Sequence, residues 1–312
     1  MKIVVVGSIN VDYNFLVKEL PKEGETIMAK DLLLVPGGKG ANQAVAARKL
    51  GGDVFFIGAV GNDSIGKEMK ENLLENEISS DGIVEVEGNT GMASINISDS
   101  KENSIIVYPG ANQKLSKEHI KKFEEKIKES EVVLIQLEIP MDTVVETIVL
   151  AKKYNKRVIL NPAPARQIPE EIFKYIHIIT PNETELETLT GTKDIEKGSE
   201  ILLRKGVDKV IITLGSKGCL YVDKNEKRYF ESFTVDSSDP TAAGDTFNGA
   251  IAVKIDHSLE KMIEFASGAA ALATTKIGAQ NSIPSQKEVE SFLLQQGQQS
   301  HCGKNQKRTD RA

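Results

Sequence analysis

The sequence predicts an α/β fold in which helices cover both faces of a mostly parallel central sheet. Six short apolar runs rich in β-branched residues recur along the 312-residue chain, and each precedes a stretch with the 3.6-residue period of a helix. This alternation is typical of βαβ units, so we expect a three-layer αβα sandwich. The six runs cover residues 3–7, 54–60, 132–137, 157–161, 177–180 and 210–214.

Two segments interrupt the alternation and predict a second, smaller antiparallel sheet. Residues 13–35 and 90–108 contain runs that alternate like exposed strands, with no helical pattern between them. Because an exposed sheet needs to be covered, we expect it to serve as a lid over a ligand and as a surface for a partner subunit. We predict one domain over residues 1–294 that includes both lid segments. The polar segment 295–312 is predicted to be a disordered tail.

Composition narrows the class of protein. A formal net charge of -6 argues against nucleic-acid binding, which depends on clustered basic residues. The two cysteines, Cys219 and Cys302, provide no disulfide framework, which favours a reducing compartment. No run approaches the roughly 18 apolar residues that a membrane span needs. We therefore expect a cytoplasmic protein that acts on a small molecule, with neither a nucleic-acid nor a membrane partner.

The strongest motif is a run of small residues, 239–244, that leads into a predicted helix over 247–255. A tight turn at a helix start leaves backbone N–H groups unpaired, so the amides of Ala242, Ala243 and Gly244 can hold charge on a transferring phosphoryl group. Asp245 follows them and can accept a proton from an attacking hydroxyl. In the alternative interpretation, Asp245 only complements the helix dipole.

Two glycine-rich segments near the N-terminus are candidate binding loops, of which we keep the first and reject the second. In 36–47, three glycines precede an alanine-rich helix, and Lys39 and Asn42 offer donors to hydroxyls or phosphate. A plain turn before a helix is the alternative. Residues 61–67 fit the spacing of a phosphate-binding P-loop, but Glu68 stands where that loop has Ser or Thr, so we reject it in favour of a helix capped by Asp63 and Ser64.

Two further segments can contact a nucleotide. The turn 213–218 follows a strand and carries two glycines, a hydroxyl and a cation, and a plain hairpin explains it equally well. Asn182 and Glu185 stand three residues apart at a helix start and can organise Mg²⁺ through water, although helix capping alone explains Asn182 as well. The four histidines have no metal-like partner at i+3 or i+4, which removes the metal-hydrolase interpretation.

Taken together, seven motifs in this order resemble the ribokinase-like (PfkB) carbohydrate kinase family over residues 1–293. The family resemblance implies a mostly parallel central sheet with flanking helices, a β lid and dimerisation through that lid. The motifs are Gly7-Ser-Ile-Asn-Val-Asp12, Gly37-Gly-Lys-Gly-Ala-Asn42, Gln136-Leu-Glu138, Asn161-Pro-Ala-Pro-Ala165, Thr180-Pro-Asn-Glu-Thr184, Thr213-Leu-Gly-Ser-Lys-Gly218 and Ala242-Ala-Gly-Asp245.

The resemblance also implies a role for each matching position. Asp245 would be the base, with Ala242, Ala243 and Gly244 as the anion hole. The sugar would be lined by Asn10, Val11, Asp12, Gly38, Lys39, Gly40, Ala41, Asn42, Glu138 and Asp245. ATP would be bound by Asn182, Glu185, Thr213, Leu214, Gly215, Ser216, Lys217, Gly218, Gly244, Asp245 and Ser267. An activating K⁺ would be held by Asp239, Thr241, Ala273, Lys276, Gly278 and Ser282.

Two positions depart from the family pattern. Pro240 stands where Thr is common, between two of the K⁺ positions, and Ser267 replaces a frequent His or Asn at the adenine edge. The first bears on the cation site and the second on nucleotide preference.

The resemblance implies transfer of phosphate from ATP to the O5 hydroxyl of D-ribose, with Mg²⁺ bridging the phosphates. A sibling kinase for deoxyribose, another sugar or a nucleoside is the alternative. The polar set of Asp12, Asn42 and Glu138 favours a hydroxyl-rich pentose. A non-catalytic regulator on the same fold is the rival from another class, and the presence of Asp245 beside its anion pocket disfavours it.

Overall fold

The computed structural model describes residues 1–100 and 102–309, without the side chains of 298–309. Strands and helices alternate through most of this range. The strands are β1 (Lys2–Val6), β2 (Asn10–Leu16), β3 (Asp31–Gly37), β4 (Asp53–Gly61), β5 (Ile83–Val86), β6 (Gly91–Ile97), β7 (Asn103–Tyr108), β8 (Val132–Ile135), β9 (Arg157–Leu160), β10 (Ile178–Ile179), β11 (Lys209–Thr213), β12 (Cys219–Asp223) and β13 (Lys227–Phe230). The helices are α1 (Lys39–Lys49), α2 (Ser64–Glu75), α3 (Lys117–Lys122), α4 (Glu124–Glu129), α5 (Met141–Lys153), α6 (Glu183–Thr190), α7 (Ile195–Arg204), α8 (Ala243–Lys254), α9 (Leu259–Ala273) and α10 (Gln286–Thr309).

The larger sheet confirms the predicted α/β class. Within the described residues it has nine strands in the order β13-β12-β11-β10-β9-β8-β1-β4-β5, all parallel except for the β11–β12 and β12–β13 pairs at one edge. All six predicted strands lie in it. Three of them do not precede an α-helix as predicted, because β1 leads into β2, β9 leads to a short 3-10 helix at Glu170–Tyr175 and β11 turns back into β12.

Alternating side chains divide the core into two halves, one on each face of the sheet. In β1, Ile3 and Val5 pack with α1, α8 and α9, whereas Val4 and Val6 pack against α5 and its neighbours. Both halves consist mainly of buried aliphatic residues, as expected for parallel strands covered on both faces. The three-layer αβα sandwich is therefore confirmed.

Helices α1 and α8 lie unusually close, and this contact positions the site. A Cβ on Gly249 of α8 would lie 2.7 Å from Cβ of Ala46 and 2.8 Å from the backbone nitrogen of Ala47, so only glycine fits there. The close approach brings the first turn of α8 against the first turn of α1. Those two turns carry the aspartate and the asparagine of the strongest sequence motifs.

The smaller sheet takes its strands from both predicted lid segments and corrects their pairing. Its order is β3-β2-β6-β7, with antiparallel outer pairs but a parallel pair of β2 and β6 in the middle, so the predicted purely antiparallel sheet is wrong. The sheet also begins earlier than residue 13, since β2 starts at Asn10. Much of its apolar surface is exposed, at Leu32, Leu33, Leu34, Ile105, Ile106, Val107 and Tyr108.

The rejected P-loop is a helix start, as predicted. Asp63 is the N-cap of α2, and its side chain accepts a hydrogen bond from the amide of Gly66 at 2.7 Å. The carboxylate also accepts from the hydroxyl of Thr90, which fastens the loop to β6. Both carboxylate oxygens of Asp63 are thus engaged in structural contacts.

The C-terminal part of the chain is largely one helix. The backbone of α10 continues through much of the segment 295–312, where the sequence predicts a disordered tail, while residues 310–312 and the side chains of 298–309 lie outside the described part. The prediction for this segment stays a prediction. Among the described residues, no helix combines the length and the hydropathy needed to cross a membrane.

Candidate active site

A polar pocket forms where the start of α1 meets the loop after β1 and the end of β8. The Glu138 carboxylate accepts hydrogen bonds from the hydroxyl of Ser8 at 2.5 Å and from the backbone amide of Lys39 at 3.1 Å. Asn112 donates to the side-chain oxygen of Asn10 at 2.8 Å, which leaves the Asn10 amide group for a ligand. Hydrogen bonds between distant segments thus bring together residues that are predicted to line a sugar.

Asp12 projects from β2 into this pocket. Its carboxylate lies against the Cα of Gly37, where an added Cβ would come within 2.5 Å of both oxygens, so the glycine makes room for the acid. Asp12 is 8% exposed, and it accepts no hydrogen bond from the part of the chain that the structure describes. A buried carboxylate without donors is suited to accept hydroxyl hydrogens from a bound ligand.

The pocket concentrates negative charge around one cation. Burial, and then the charges of Glu138 and Asp245, raise the pKa of Asp12 from 3.8 to about 7. Burial opposes the charged form of Lys39, but the surrounding carboxylates, Asp245 foremost, raise the pKa of that ammonium group overall. Burial also raises the pKa of Glu185, the fourth acid near Lys39. A ligand rich in hydroxyls can satisfy these groups without adding charge.

Two of the predicted sugar-lining side chains point away from the pocket. Val11 and Ala41 are 2% and 1% exposed and pack in the core on the α1 side of the sheet. The backbone of Ala41 is held by a hydrogen bond from its amide to the carbonyl of Ser8 at 2.9 Å. Contacts of these two residues with a ligand are therefore limited to backbone atoms.

Asp245 lies at the centre of the site, in the first turn of α8. It is 8% exposed, and each carboxylate oxygen accepts one amide hydrogen bond of 3.0 Å, Oδ2 from Asn42 and Oδ1 from Gln43. Its helix-dipole position is confirmed, and its amide partners add what a simple capping acid lacks. The carboxylate is held in one plane by two neutral donors and still has lone pairs for a substrate hydroxyl.

The turn before Asp245 presents free amides. Ala242 has a left-handed conformation, with φ of 60°, which costs a non-glycine residue roughly 1–2 kcal/mol. The amide of Ala243 donates to the carbonyl of Pro240 at 3.2 Å, whereas those of Ala242, Gly244 and Asp245 have no acceptor among the described residues. Of the three amides predicted to form an anion hole, those of Ala242 and Gly244 are thus free at a helix start, whereas that of Ala243 is engaged, and the anion hole stays a prediction.

A cavity of 680 Å³ adjoins this helix start. Seven of the residues predicted to bind nucleotide line it, and the turn 213–218 is both a β11–β12 hairpin and part of the wall. Ser267 of α9 lines the opposite side. The seven are Asn182, Thr213, Gly215, Ser216, Gly218, Gly244 and Ser267.

The remaining nucleotide predictions fall outside the cavity wall. The side chain of Leu214 is buried in the core on the α5 side, and that of Lys217 is exposed to solvent. Sequence reasoning also missed one wall, which is formed by the irregular segment after β13. The alternation of hydroxyl and apolar residues there was the only available signal. This wall consists of Ser232, Phe233, Thr234, Val235 and Ser237.

Asn182 is an N-cap, as the alternative interpretation holds. Its side-chain oxygen accepts from the amide of Glu185 at 2.8 Å, and the Glu185 carboxylate accepts from the amide of Asn182 at 2.9 Å, which is a capping box. One Glu185 oxygen and the Asn182 amide group remain outside this pair. The cap therefore fixes both residues at the cavity edge, where hard oxygen ligands suit Mg²⁺ through water.

Two of the positions predicted to hold K⁺, Thr241 and Gly278, contact a third, Asp239. Its carboxylate accepts from the amides of Thr241 at 2.9 Å and Gly278 at 3.0 Å, and the pKa of Asp239 is lowered because these hydrogen bonds outweigh its burial. Carboxylate and carbonyl oxygens are the donors that a hard cation needs. Lys276 instead pairs with Glu288 at 3.0 Å, so its side chain takes no part. The buried Ala273 and Ser282 flank the same segment.

Comparison with known proteins identifies the family of this chain. Residues 1–286 match the family described as pfkB family carbohydrate kinase. Ribokinase from Haemophilus influenzae is 42% identical over 299 residues, which cover 93% of this chain and 98% of that protein. Deoxyribokinase from Salmonella typhi is 35% identical over 306 residues, covering 94% and 99%.

A solved structure agrees with the sequence matches. Arabidopsis thaliana ribokinase, complexed with ribose and ATP, has a TM-score of 0.86 to this chain at 35% identity, over 93% of this chain and 98% of that one. By fold and by these matches, the protein is a carbohydrate kinase. Within that class, the chain belongs to the pfkB family, and the resemblance stated from its motifs is confirmed.

Proposed function

We propose that the protein transfers phosphate from ATP to the O5 hydroxyl of D-ribose, which yields ribose 5-phosphate and ADP. The observation that carries this proposal is the position of Asp245. It lies between a pocket of hydroxyl-binding groups on one side and free helix amides beside a large cavity on the other. The similarity to enzymes that are named ribokinases directs the choice of sugar.

In the proposed mechanism, Asp245 takes the proton of the primary hydroxyl as the hydroxyl oxygen attacks the γ-phosphorus. The amides of Gly244 and Asp245 donate to the oxygens of the transferring group, where negative charge gathers. Lys39 places its positive charge between the sugar hydroxyl and the transferring phosphoryl group. Asp12 and Glu138 hold the other ring hydroxyls, which fixes the direction of attack.

The oxygen groups at the cavity edge fit Mg²⁺, which supplies charge neutralisation on the phosphates when bound. Glu185 and Asn182 would hold it through water. The oxygens around Asp239 fit a monovalent cation, K⁺, whose binding would order the segment 273–282 beside the site. Thr241, Ala273, Gly278 and Ser282 belong to this set, mostly through their carbonyl groups.

We further propose that the protein is a cytoplasmic homodimer, joined through its lids. The seven exposed apolar residues lie on β3 and β7, the two edge strands of the lid sheet, where a second copy would cover them. Sedimentation equilibrium tests this proposal, and a stable monomer at micromolar concentration contradicts it.

A coupled assay of ADP release tests the proposed reaction. ATP and Mg²⁺ are supplied with ribose, 2-deoxyribose, fructose or adenosine, each with K⁺ or with tetramethylammonium. We expect the highest kcat/KM with ribose and stimulation by K⁺. Equal rates in both salts would refute the cation site alone. No sugar-dependent ADP release under any condition would refute the kinase assignment.

A second candidate is a deoxyribose kinase, which the Salmonella typhi relative favours. The same assay separates the two. Preference for 2-deoxyribose would replace the substrate and leave the chemistry of Asp245 in place.

A further inference from the structure

A glutamine that takes no part in the mechanism above contacts the carboxylate of Asp245. Gln43 lies in α1, one residue after Asn42, and is 0% exposed. Its Nε2 donates to Oδ1 of Asp245 at 3.0 Å and to Oδ1 of Asn161 at 3.0 Å. Its Oε1 accepts from Nε2 of Gln136 at 2.5 Å. Both hydrogens and the oxygen of the Gln43 amide are therefore used.

The orientation of this amide is determined by the protein backbone. The amide group of Asn161 donates to the carbonyl of Thr180 at 3.2 Å, and a backbone carbonyl can only accept. Asn161 must then turn its oxygen towards Gln43, and Gln43 must turn its nitrogen towards Asn161 and Asp245. A flipped amide would place its oxygen against two other acceptors. The carbonyl of Thr180, just after β10, thus sets the orientation of Asn161, then of Gln43, and so of the donor to the Asp245 carboxylate.

Asn42 donates to the other carboxylate oxygen of Asp245, and the exposure of Asn42 and of Gln43 separates their two roles. Asn42 is 6% exposed at the pocket, so it can touch a ligand as well as Asp245. Gln43 has no accessible surface and cannot. Whatever Gln43 contributes to the reaction must therefore act through Asp245.

We propose that Gln43 is a positioning residue that fixes the plane of the Asp245 carboxylate for proton transfer. The inference rests on the proposed function, in which Asp245 is the base. A carboxylate held at one oxygen only can rotate about its Cβ–Cγ bond, which moves the lone pair away from the substrate hydroxyl. Since displacement of a reacting group by about 1 Å can cost about 100-fold in rate, the second donor matters for turnover rather than for affinity.

The test uses Gln43→Met, which keeps the length of the side chain and removes its donors and acceptor. We expect kcat to fall at least about tenfold, by loss of one orienting hydrogen bond, while the KM for the sugar changes less than about threefold. The matched control is Thr147→Val in α5, which also removes a fully buried side-chain hydrogen bond, of 2.8 Å to the carbonyl of Thr143, but far from the site. We expect it to lower Tm and leave kcat unchanged.

A second variant covers the case in which Gln43→Met does not fold. Gln136→Met removes only the donor behind Gln43, and we expect a smaller fall in kcat with the sugar KM again unchanged. The inference is overturned if the folded Gln43 variant turns over within twofold of the wild type, or if its sugar KM rises while kcat holds. Asp245→Asn, measured beside it, separates the two levels. An active Asp245→Asn enzyme would remove the proposed base, whereas an inactive one with normal Gln43→Met removes only the positioning role.

Discussion

The two halves of the site are built in different ways. On the sugar side, the functional groups are buried side chains on α1, β2 and α8, held by hydrogen bonds between distant segments, such as that of Asn42 with Asp245, 203 residues away. On the nucleotide side, the wall consists of the β11–β12 hairpin and the irregular segment after β13, together with residues at the starts of α6 and α8 and from α9. The first half is arranged for exact placement of groups around the reacting hydroxyl. The second accommodates a larger ligand by shape.

The largest effect is expected where the two halves meet. Asp245→Asn keeps the size of the side chain and one acceptor but removes the base, so kcat should fall by about 10²- to 10⁴-fold. The fold should persist, which circular dichroism and Tm can verify. Turnover close to that of the wild type would contradict the proposed chemistry.

Asp12→Asn should affect the sugar half alone. The amide keeps one acceptor oxygen, but it replaces the other with a donor NH2 group and removes the negative charge, so we expect kcat/KM for the sugar to fall about 10- to 100-fold. The KM for ATP should stay within about twofold. A comparable rise in both KM values would show that the halves are not independent.

The raised pKa of Asp12 predicts a pH dependence in the same half. Ionised Asp12 accepts hydroxyl hydrogens, so sugar affinity should fall, by up to about tenfold per unit, as pH drops below about 7. Asp12→Asn should lose this dependence.

Because the folded pKa of Asp12 lies above the reference value of 3.8, the folded protein binds an extra proton between these two pH values, and the wild type loses stability as pH rises from about 4 to 7. Asp12→Asn should thus raise the free energy of unfolding more at pH 8 than at pH 5, and the difference should be on the order of 1–3 kcal/mol.

Phe233→Ala tests the wall that the sequence motifs did not predict. Its ring lines the cavity and packs against Phe292 at 5.3 Å between centroids. Loss of that apolar surface should raise the KM for ATP about tenfold, with the sugar KM unchanged. An unchanged KM for ATP would assign the segment to structure alone.

The smallest effect is expected for Lys217→Ala. Its side chain is exposed beside the hairpin turn rather than in the cavity wall. We expect the KM for ATP to change less than about twofold, since exposed charges contribute little. A rise of tenfold or more would show that the turn changes conformation when nucleotide binds.

The same contrast explains what could be predicted from the sequence. Strand positions, the helix start at Asp245 and the sugar-side set each leave a local pattern, such as apolar runs or glycines before a helix. The parallel pairing of β2 with β6 leaves none, because register across 80 residues depends on tertiary packing. Residues 232–237 and Gln43 also escaped prediction. A loop wall has no periodicity, and Gln43 acquires its role only from partners that directly follow β8 and β9 and from one on α8.

Strand β2 has a consequence for the order of events in a catalytic cycle. It is one of the two inner strands of the smaller sheet, and it also carries Asp12, which is paired in register with Val35 and Ala93. In the proposed mechanism, opening of the lid would therefore withdraw Asp12 from the sugar, and closure of the lid would complete the sugar pocket as the acceptor binds. We expect this linkage to limit hydrolysis of ATP by water, because water does not make the contacts that would stabilise the closed lid.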